Sequence, residues 1–436
     1  MSAWEAEHTD FRKDFGGFMM PLFFARKDAT KDPNHTFIEL EHLANRGRVV
    51  AYNTSHMGRI EVTGLSPAQI REQLQRILIA NVHKLDEDGR AQYTAIPTDE
   101  GALLDDSYLS RLTEGRYILV VNAGHLRPDL EWLRGHTSGI TWRDVSDELA
   151  MIAVQGPHSP DALQRILEMG FLEGSLPIRK NDVSILSARQ KEVIMSRTGY
   201  TGEPYGYEVM IPREHAVEFW EMLLEFGAKP AGLGARDSTR AEAGLPLGGQ
   251  EFLGGPDGRP IPAFAVDKLR PMISPTAPGK EDMPGMGDLR KQYEAFCAGR
   301  SEGALPYVGR SFVTLNSARD GPGTDRVRTW WQRAKPADKD GQIFDLKGNH
   351  IGWVTTQVMA AYHEFDRFGS DGLPTGATGN RVAGIAYVRT DIPLRLEGVP
   401  IEIWGRKQNT PALLVDSNGA VSGTYFRPRL FPEART

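Results

Sequence analysis

The stretch KEVIMSRTGYTGEPYGYEVMIP, residues 191–212, places two apolar, β-rich runs on either side of a segment with three glycines and three tyrosines. Such runs around a glycine-rich turn predict an antiparallel hairpin. Other short β-rich runs lie at 116–123, 151–156, 381–388 and 399–405. Strands and helical segments mix without the regular βαβ rhythm of a doubly wound sheet, which predicts an α+β fold.

Three amphipathic helices carry start and stop signals. Ser66, followed by Pro67, is the predicted N-cap of the first, and Ser159 is the predicted N-cap of the second. Gly170 and Gly227 are the predicted stops of the second and third helices. Helices of this kind can cover a sheet with one apolar face.

Composition and length exclude several protein classes. A chain of 436 residues exceeds the ~250 to 300 residues that one hydrophobic core supports, so we expect two or three domains. Apolar runs are too short for a membrane span, and the first fifteen residues do not have the pattern of a secretory signal. A net charge of −6 without a basic cluster gives no nucleic-acid footprint. The single cysteine, Cys297, excludes an internal disulfide and favours the cytoplasm.

Common catalytic motifs do not explain this chain. The eleven histidines are dispersed without metal-ligand spacing, so no metal site is expected. The segment GLGARD at 232–237 is neither a phosphate-binding loop nor a dinucleotide fingerprint, and no GxSxG elbow occurs. What remains is a set of polar side chains at strand ends, in YNTSHMG (52–58), LLDDS (103–107) and VVNAGH (120–125).

Asp105 and Asp106 are adjacent carboxylates in a predicted strand. Neighbouring residues of a strand point to opposite faces, so the two should not share one task. We expect one of them to face a cavity and the other to cap a turn or meet solvent.

Eight blocks, read together and in order, resemble the T-protein (aminomethyltransferase) family of the glycine cleavage system. The resemblance covers about residues 15–251 and resumes more weakly from about 340. It is carried by GGFMMPLFF, NTSHMGRIEVTG, QYTAIPTDEGALLDDSYL, YILVVNAGHLRPDLEWL, MIAVQGP, SRTGYTGEPYGYEVMIP, PAGLGARDSTRAEAGLPLGGQE and IGWVTT.

The resemblance implies an α+β three-domain cloverleaf around a central channel for tetrahydrofolate, with a β-rich, barrel-like C-terminal domain. It also implies a chain that interleaves its parts. We predict domain 1 at 1–58 and 146–225, domain 2 at 59–145 and 226–265, a Gly/Pro-rich insertion at 266–325 and the C-terminal domain at 326–436.

The same resemblance implies a set of site residues. Asp106 would lie beside the reacting folate nitrogens as the catalytic residue, while Glu208 and Arg236 would hold the pterin ring. The other residues expected at the folate are Tyr93, Asn122, Tyr200, Met57 and, from the C-terminal stretch YFRPRLF, Arg427.

The chemistry of a pterin agrees with this assignment. Its amino and ring N–H groups suit the carboxylate of Glu208, and its carbonyl oxygen suits the guanidinium of Arg236. Glycines at 199, 202 and 206 would let the backbone turn beside the ring, and Glu203 is expected to belong to the turn. The hairpin is therefore predicted to recognise folate rather than to catalyse.

Departures from the family pattern leave the one-carbon donor open. Asn53 replaces an acid, Gly248 replaces a tyrosine, and the segment 252–345 is longer than expected. The expected function is a tetrahydrofolate-dependent methyl or aminomethyl transferase. Its donor would be a small methylated molecule or an aminomethyl group on a lipoylated carrier protein. The alternative to an enzyme is a protein that binds folate without turnover. Neither nucleic acid nor membrane is an expected partner.

Overall fold

The computed structural model describes residues 1–33, 35–252, 260–314, 341–363, 378–393, 398–404 and 409–415. Helices and strands are mixed along the chain, which confirms the α+β prediction. The α-helices of this part are α1 Ser2–His8, α2 Phe37–Gly47, α3 Pro67–Ile77, α4 Leu126–His136, α5 Ser159–Glu168, α6 Ala216–Glu225, α7 Leu233–Glu242 and α8 Met286–Cys297.

The strands alternate with these helices. In chain order they are β1 Arg12–Phe15, β2 Phe18–Pro21, β3 Val50–Asn53, β4 Gly58–Thr63, β5 Arg90–Pro97, β6 Leu103–Thr113, β7 Arg116–Val121, β8 Thr141–Asp144, β9 Leu149–Gln155, β10 Leu172–Glu173, β11 Val183–Ala188, β12 Lys191–Ser196, β13 Gly206–Pro212, β14 Lys229–Ala231, β15 Tyr307–Thr314, β16 Gln342–Phe344, β17 His350–His363, β18 Thr378–Arg389, β19 Val399–Ile403 and β20 Thr410–Val415.

The chain forms two compact units, each assembled from separate stretches of sequence. The first unit contains Met1–Ile96 and Asp105–Asp237, and the second contains Pro97–Leu104 and Ser238–Thr436. The division into four parts at the boundaries given above stays a prediction.

A seven-stranded sheet organises the first unit, in the order β10-β11-β12-β13-β9-β3-β14. Strands β12 and β13 pair antiparallel with Ser196 opposite Glu208, which confirms the predicted hairpin. Helices α5 and α6 contribute Leu163, Phe219 and Trp220 to the apolar core that packs on this sheet. The hairpin is thus fixed in the interior of a sheet, between β11 and β9.

A five-stranded sheet, in the order β5-β6-β7-β4-β8, carries the two adjacent aspartates. Asp105 and Asp106 lie in β6, which pairs antiparallel with β7 so that Ser107 is opposite Val121. Asn122 follows β7 directly, so the register brings it beside the two carboxyl groups.

Two predicted N-caps have different outcomes. The backbone N–H of Ser66 and its hydroxyl both face Gln69 Oε1, which confirms Ser66 as the cap of α3. At α5 the cap is His158 instead of Ser159. The buried hydroxyl of Ser159 makes no hydrogen bond within the described residues, so it does not satisfy a helix N–H.

The second unit contains a closed six-stranded barrel, in the order β15-β18-β17-β16-β19-β20, which confirms the barrel-like C-terminal domain. Its interior is apolar and includes Phe312, Ile343 and Leu414. Strand β15 falls inside the stretch 266–325 that was predicted as an insertion, so a domain boundary at 326 leaves out one barrel strand.

In the described ranges, no helix is both long and apolar enough to cross a membrane.

Candidate functional site

Three of the predicted site residues converge on Asp106. The Tyr93 hydroxyl donates a 2.7 Å hydrogen bond to Oδ2 of Asp106, and the Asn122 side-chain amide donates a 2.7 Å bond to Oδ1. Tyr200, from the loop of the β12–β13 hairpin, donates a longer bond of 3.4 Å to Oδ2. Asp106 itself is only 7% exposed. The five-stranded sheet and the hairpin therefore contribute donors to the same buried carboxyl.

Asp105 shares the Asn122 side chain with Asp106, contrary to the expectation from strand alternation. Its two oxygens accept the backbone N–H and the side-chain amide of Asn122, each at 2.8 Å. Asp105 is fully buried, so it neither caps a turn at the surface nor meets solvent. Alternation fails as a guide because Asn122 lies just beyond the end of β7 and reaches both carboxyl groups.

The environment of Asp106 favours its neutral form. Burial raises the pKa of Asp106, and the negative charge of Asp105 raises that pKa further. Hydrogen bonds from Tyr93 and Asn122 oppose the shift without cancelling it. Burial also raises the pKa of Tyr93 well above its ordinary value, which keeps the phenol protonated as a donor. A carboxyl in such surroundings can hold or accept a proton near neutral pH.

Glu208 and Arg236 lie in the same electrostatic neighbourhood as Asp106. Glu208 on β13 accepts a 2.6 Å hydrogen bond from the Thr198 hydroxyl. Burial lowers the pKa of the Arg236 guanidinium, and the charge of Glu208 is the largest influence that opposes the shift, followed by Tyr52, Tyr200 and Asp106. The charges of Glu208 and Asp106 therefore both act on the predicted guanidinium.

The hairpin loop depends on Gln155, which sequence reasoning missed. Gln155 Oε1 accepts from the Thr201 hydroxyl at 2.9 Å, and its amide donates to the Thr198 carbonyl at 3.2 Å. A Cβ at Gly206 would lie 2.5 Å from Gln155 Oε1, and one at Gly199 would lie closer still. These two glycines therefore leave room for Gln155, not for a sharp turn as expected. The only signal for Gln155 was its position at the end of the MIAVQG strand.

Gly202 and Glu203 shape the tip of this loop. Gly202 has φ +79°, in the left-handed region, so it is the predicted glycine that does make a turn. Glu203 forms a buried 2.7 Å ion pair with Arg46 on α2. Arg46 also donates to the Thr201 carbonyl at 2.8 Å. Glu203 therefore anchors the turn, as expected from its place in the sequence.

All of the expected folate contacts stay predictions, including those of Met57 and Arg427. Met57 is partly buried and packs against an apolar cluster that includes Met151, Ile194 and Met210. Its expected contact with folate does not follow from that packing. Arg427 lies outside the described residues.

Asn53, one of the departures from the family pattern, binds a carboxylate from another element. Its side-chain amide donates a 2.8 Å hydrogen bond to Glu5 Oε1 on α1. Glu5 is fully buried, and that burial raises its pKa. Both residues line a small pocket together with Tyr52, Gly232 and Arg236. An acid thus stands next to position 53, although the chain supplies it from the first helix.

The GGQE segment, which contains Gly248, lies in the second unit next to a buried ion pair. Arg240 and Glu251 form a buried ion pair at 3.0 Å. The Thr356 hydroxyl, in the IGWVTT segment, lies 2.7 Å from Gln250 Oε1 and 2.5 Å from Glu251 Oε1, and it can donate its one proton to either oxygen. The GGQE segment after α7 is therefore bound to barrel strand β17.

Asp105, His125 and Asp129 form a further cluster that the sequence did not indicate. One carboxylate oxygen of each aspartate and one ring nitrogen of His125 all lie within 4.8 Å of one another. The dispersed histidines gave no sign of this group, because β6 and the start of α4 become neighbours only in the folded chain. The expectation that the protein binds no metal stays a prediction.

Comparison with known proteins gives the family. The model of the GCVT N-terminal domain matches residues 1–256. An aminomethyltransferase from Staphylococcus epidermidis is 36% identical over 241 residues, which are 55% of this chain and 61% of that protein. An aminomethyltransferase from Halalkalibacterium halodurans is 37% identical over 289 residues, which are 64% of this chain and 71% of that protein. The chain thus spans about three fifths of the Staphylococcus relative.

A solved structure supports the assignment at the level of the fold. The glycine cleavage system aminomethyltransferase T from Bartonella henselae matches with a TM-score of 0.71 and 22% identity, over 97% of this chain and 98% of that one. The family model covers more than half of the chain, and the blocks that carry the resemblance lie almost entirely within the matched residues. The chain therefore belongs to the GCVT domain family, that of the glycine cleavage system T-protein (aminomethyltransferase).

Proposed function

We propose that this protein is a tetrahydrofolate-dependent aminomethyltransferase that transfers a one-carbon unit from a carrier onto the folate. The observation that carries the proposal is the convergence of Tyr93, Asn122 and Tyr200 on the carboxyl of Asp106, beside Glu208 and Arg236. The relatives' names favour the aminomethyl donor over the broader expectation of any one-carbon donor.

The donor and acceptor groups around Glu208 fit a pterin. Within the described residues the Glu208 carboxylate accepts a hydrogen bond from Thr198 at Oε2, which leaves Oε1 to accept from a ligand. A partly buried carboxylate with an unused oxygen suits the amino and ring N–H edge of a pterin, and a nearby guanidinium suits its carbonyl. Tyr200 adds a flat face and a hydroxyl.

Tetrahydrofolate, when bound, would supply the nitrogen nucleophiles that take up the methylene carbon. The bonds from that carbon to the carrier sulfur and to the amino nitrogen would break, so that the carrier thiol and ammonia leave. Asp106 would hold or accept the proton that this transfer displaces, since its raised pKa lies close to neutral conditions. Tyr93 and Asn122 orient the Asp106 carboxyl by binding one oxygen each. Glu208 and Arg236 would position the ring by its polar edge.

The proposed partner is a lipoylated carrier protein that brings the aminomethyl group, and the proposed location is the cytoplasm. A small methylated molecule is the second candidate donor. The substitution that favours it is Gly248, which stands where the family pattern has a tyrosine and removes a phenol from the donor side.

The test combines folate binding with turnover. The protein is mixed with tetrahydrofolate and aminomethylated lipoyl carrier protein, and 5,10-methylenetetrahydrofolate is measured by mass spectrometry. We expect Asp106→Asn to lower turnover by ~10² to 10⁴-fold, the usual contribution of a general acid or base, while the Kd for tetrahydrofolate changes less than about threefold.

Separate arms distinguish the alternatives. Product from methylated amines, sulfonium compounds or aryl methyl ethers, with none from the carrier protein, would replace the aminomethyl proposal with a small-molecule demethylase. Folate binding without product from any donor would favour a binding protein. No heat of binding with tetrahydrofolate would reject all three.

A further inference from the structure

Asp129 is a buried acid without an evident counter-charge. It lies in the first turn of α4 and is fully buried. Neither of its carboxyl oxygens meets an N–H donor or a hydroxyl within the described residues. Its close polar neighbours are Asp105 and His125, and the Nδ1 atom of His125 also has no hydrogen-bond partner there.

Asp105 and Asp129 offer carboxylate oxygens within 4.8 Å of each other. Two buried carboxyl groups this close are not both ionised unless a cation binds between them, so without a bound cation the pair holds one proton. Asp105 already accepts two hydrogen bonds from Asn122, and such bonds favour its ionised form. Asp129 receives no such bonds, so the proton belongs on Asp129. The electrostatics agree. Burial raises the pKa of both carboxyl groups, but hydrogen bonds from Asn122 and Asp129 oppose the rise at Asp105, whereas the charge of Asp105 adds to the rise at Asp129.

The Asn122 side chain links this shared proton to Asp106. Its single amide nitrogen donates to Asp105 Oδ1 at 2.8 Å and to Asp106 Oδ1 at 2.7 Å. The position of that amide therefore depends on Asp105 remaining an acceptor. If Asp105 took up a proton, Asn122 would lose one of the groups that hold it in place against Asp106.

We propose that Asp129 is a positioning residue that, as a neutral carboxylic acid, donates a hydrogen bond to Asp105 and so keeps the Asp105 carboxylate and the Asn122 amide aligned on Asp106. The proposal rests on the proposed function in that Asp106 is taken to be the catalytic group. Other ionisable groups lie near these three carboxyl groups. His125 is beside Asp129, and Tyr93, Tyr200 and Arg236 are around Asp106.

The first measurement needs neither folate nor turnover. Infrared difference spectra are recorded between the wild-type protein and Asp129→Asn across the pH range. We expect the wild type to show the carbonyl band of one additional protonated carboxylic acid at neutral pH, which disappears only under more alkaline conditions. Absence of that band would overturn the proposal.

The second measurement compares two variants in the aminomethyl-transfer assay. Asp129→Asn keeps a neutral N–H donor for Asp105 and should restore turnover to within about threefold of the wild type. Asp129→Leu removes the donor and should lower kcat by about thirtyfold or more. It should also move the acidic limb of the pH–rate profile to lower pH, because Asp105 then becomes protonated and no longer raises the pKa of Asp106. Equal loss in both variants would overturn the proposal.

Metal uptake is the competing explanation. If the wild-type protein bound one Zn²⁺, Mg²⁺ or Mn²⁺ per chain and Asp129→Asn did not, the cluster would hold a cation and the proposal would be wrong. Unfolding temperatures of both variants control for folding, and if Asp129→Leu did not fold, the infrared comparison would still decide. Failure of the infrared test with a working transfer assay rejects only the role of Asp129, whereas failure of the assay rejects the proposed function.

Discussion

Tyr93 and Asp106 are joined by a 2.7 Å hydrogen bond from the phenol hydroxyl to Oδ2. The pKa of Tyr93 is raised well above its ordinary value, so the phenol stays protonated and can donate to the ionised carboxylate of Asp106. A donor at Oδ2 favours the ionised form of the carboxyl. Tyr93 therefore limits how far burial and Asp105 can raise the pKa of Asp106.

Replacing Tyr93 by Phe should raise the pKa of Asp106, since the removed hydrogen bond lowers it in the wild type. If the ionised carboxylate is the active form, the acidic limb of the kcat profile should move to higher pH by roughly one unit, the equivalent of one hydrogen bond to a charged group. The measurement is the pH–rate profile of the transfer reaction.

The matched control is Tyr108→Phe. Tyr108 lies near Tyr93 but donates its 2.5 Å hydrogen bond to Asn181, not to Asp106. Its profile should keep the wild-type midpoint. A limb that moves equally in both variants, or not at all in Tyr93→Phe, would contradict the role assigned to Tyr93.

Two glutamates of one loop should respond differently to the same substitution. Glu203→Gln breaks a buried ion pair with Arg46 and should lower the free energy of unfolding by ~3 kcal/mol, because the buried guanidinium loses the charge of this carboxylate. Glu208→Gln should leave stability within about 1 kcal/mol and weaken tetrahydrofolate binding by about tenfold or more, the loss of a charge-assisted hydrogen bond.

Denaturant unfolding and calorimetric titration measure the two effects separately. The pairing is informative because each variant serves as the control for the other, with the same chemical change made five residues apart. Unchanged folate affinity in Glu208→Gln would remove the hairpin from folate recognition.

Local features of this fold could be predicted from sequence, whereas long-range contacts could not. The hairpin around residues 199–206 follows from glycines between two apolar runs, and the cap at Ser66 follows from a few adjacent letters. The Arg46–Glu203 pair joins residues 157 positions apart, and no local pattern indicates it. The same is true of Asn53 and Glu5, which are 48 positions apart.

Other errors came from applying a correct rule at the wrong place. Strand alternation predicts different tasks for Asp105 and Asp106, but it does not account for Asn122, which lies just beyond the end of β7 and binds both carboxyl groups. Likewise, Gly199 was correctly marked as special, but the reason is the close approach of Gln155, which only the folded sheet reveals. The stretch 266–325 was predicted as a Gly/Pro-rich insertion, but its residues Tyr307–Thr314 pair with two barrel strands, which composition does not indicate.

Asn53→Asp should make stability depend on pH. The new carboxyl would face that of Glu5 in a buried site, so at least one of the two must be protonated in the folded state. The pKa of that protonated carboxyl is therefore higher in the folded than in the unfolded protein. The folded state keeps its stability at pH values below the ordinary carboxyl pKa, and it loses stability as the pH rises through the raised pKa. We expect little change at pH 4 and a loss of ~1 to 3 kcal/mol at pH 8, typical of a buried polar group without its partner.

Denaturant unfolding at several pH values tests this, and the double variant Glu5→Gln/Asn53→Asp is its control. The double variant restores one amide and one carboxylate with the donor and acceptor exchanged. It should therefore regain most of the stability at pH 8. A pH-independent loss in Asn53→Asp, or no recovery in the double variant, would mean that the Glu5–Asn53 hydrogen bond does not govern the effect.

Gly199→Ala should damage the hairpin through Gln155. The added Cβ would overlap the Gln155 amide, which is 1% exposed and binds the Thr201 hydroxyl and the Thr198 carbonyl. Displacing that side chain should cost ~1 to 3 kcal/mol of stability, as for other overpacked interiors, and should weaken folate binding because Thr198 holds Glu208.

The coupling between the two residues can be measured directly. In a double-mutant cycle, Gln155→Ala removes the obstructing amide, so Gly199→Ala should cost at least ~1 kcal/mol less in that background. Gly135→Ala, in α4 with nothing within 4 Å of the new Cβ, is the matched control and should stabilise by ~0.5 to 1 kcal/mol. Additive effects of Gly199→Ala and Gln155→Ala would show that the glycine is not there for Gln155, and the hairpin would then need another explanation for its glycines.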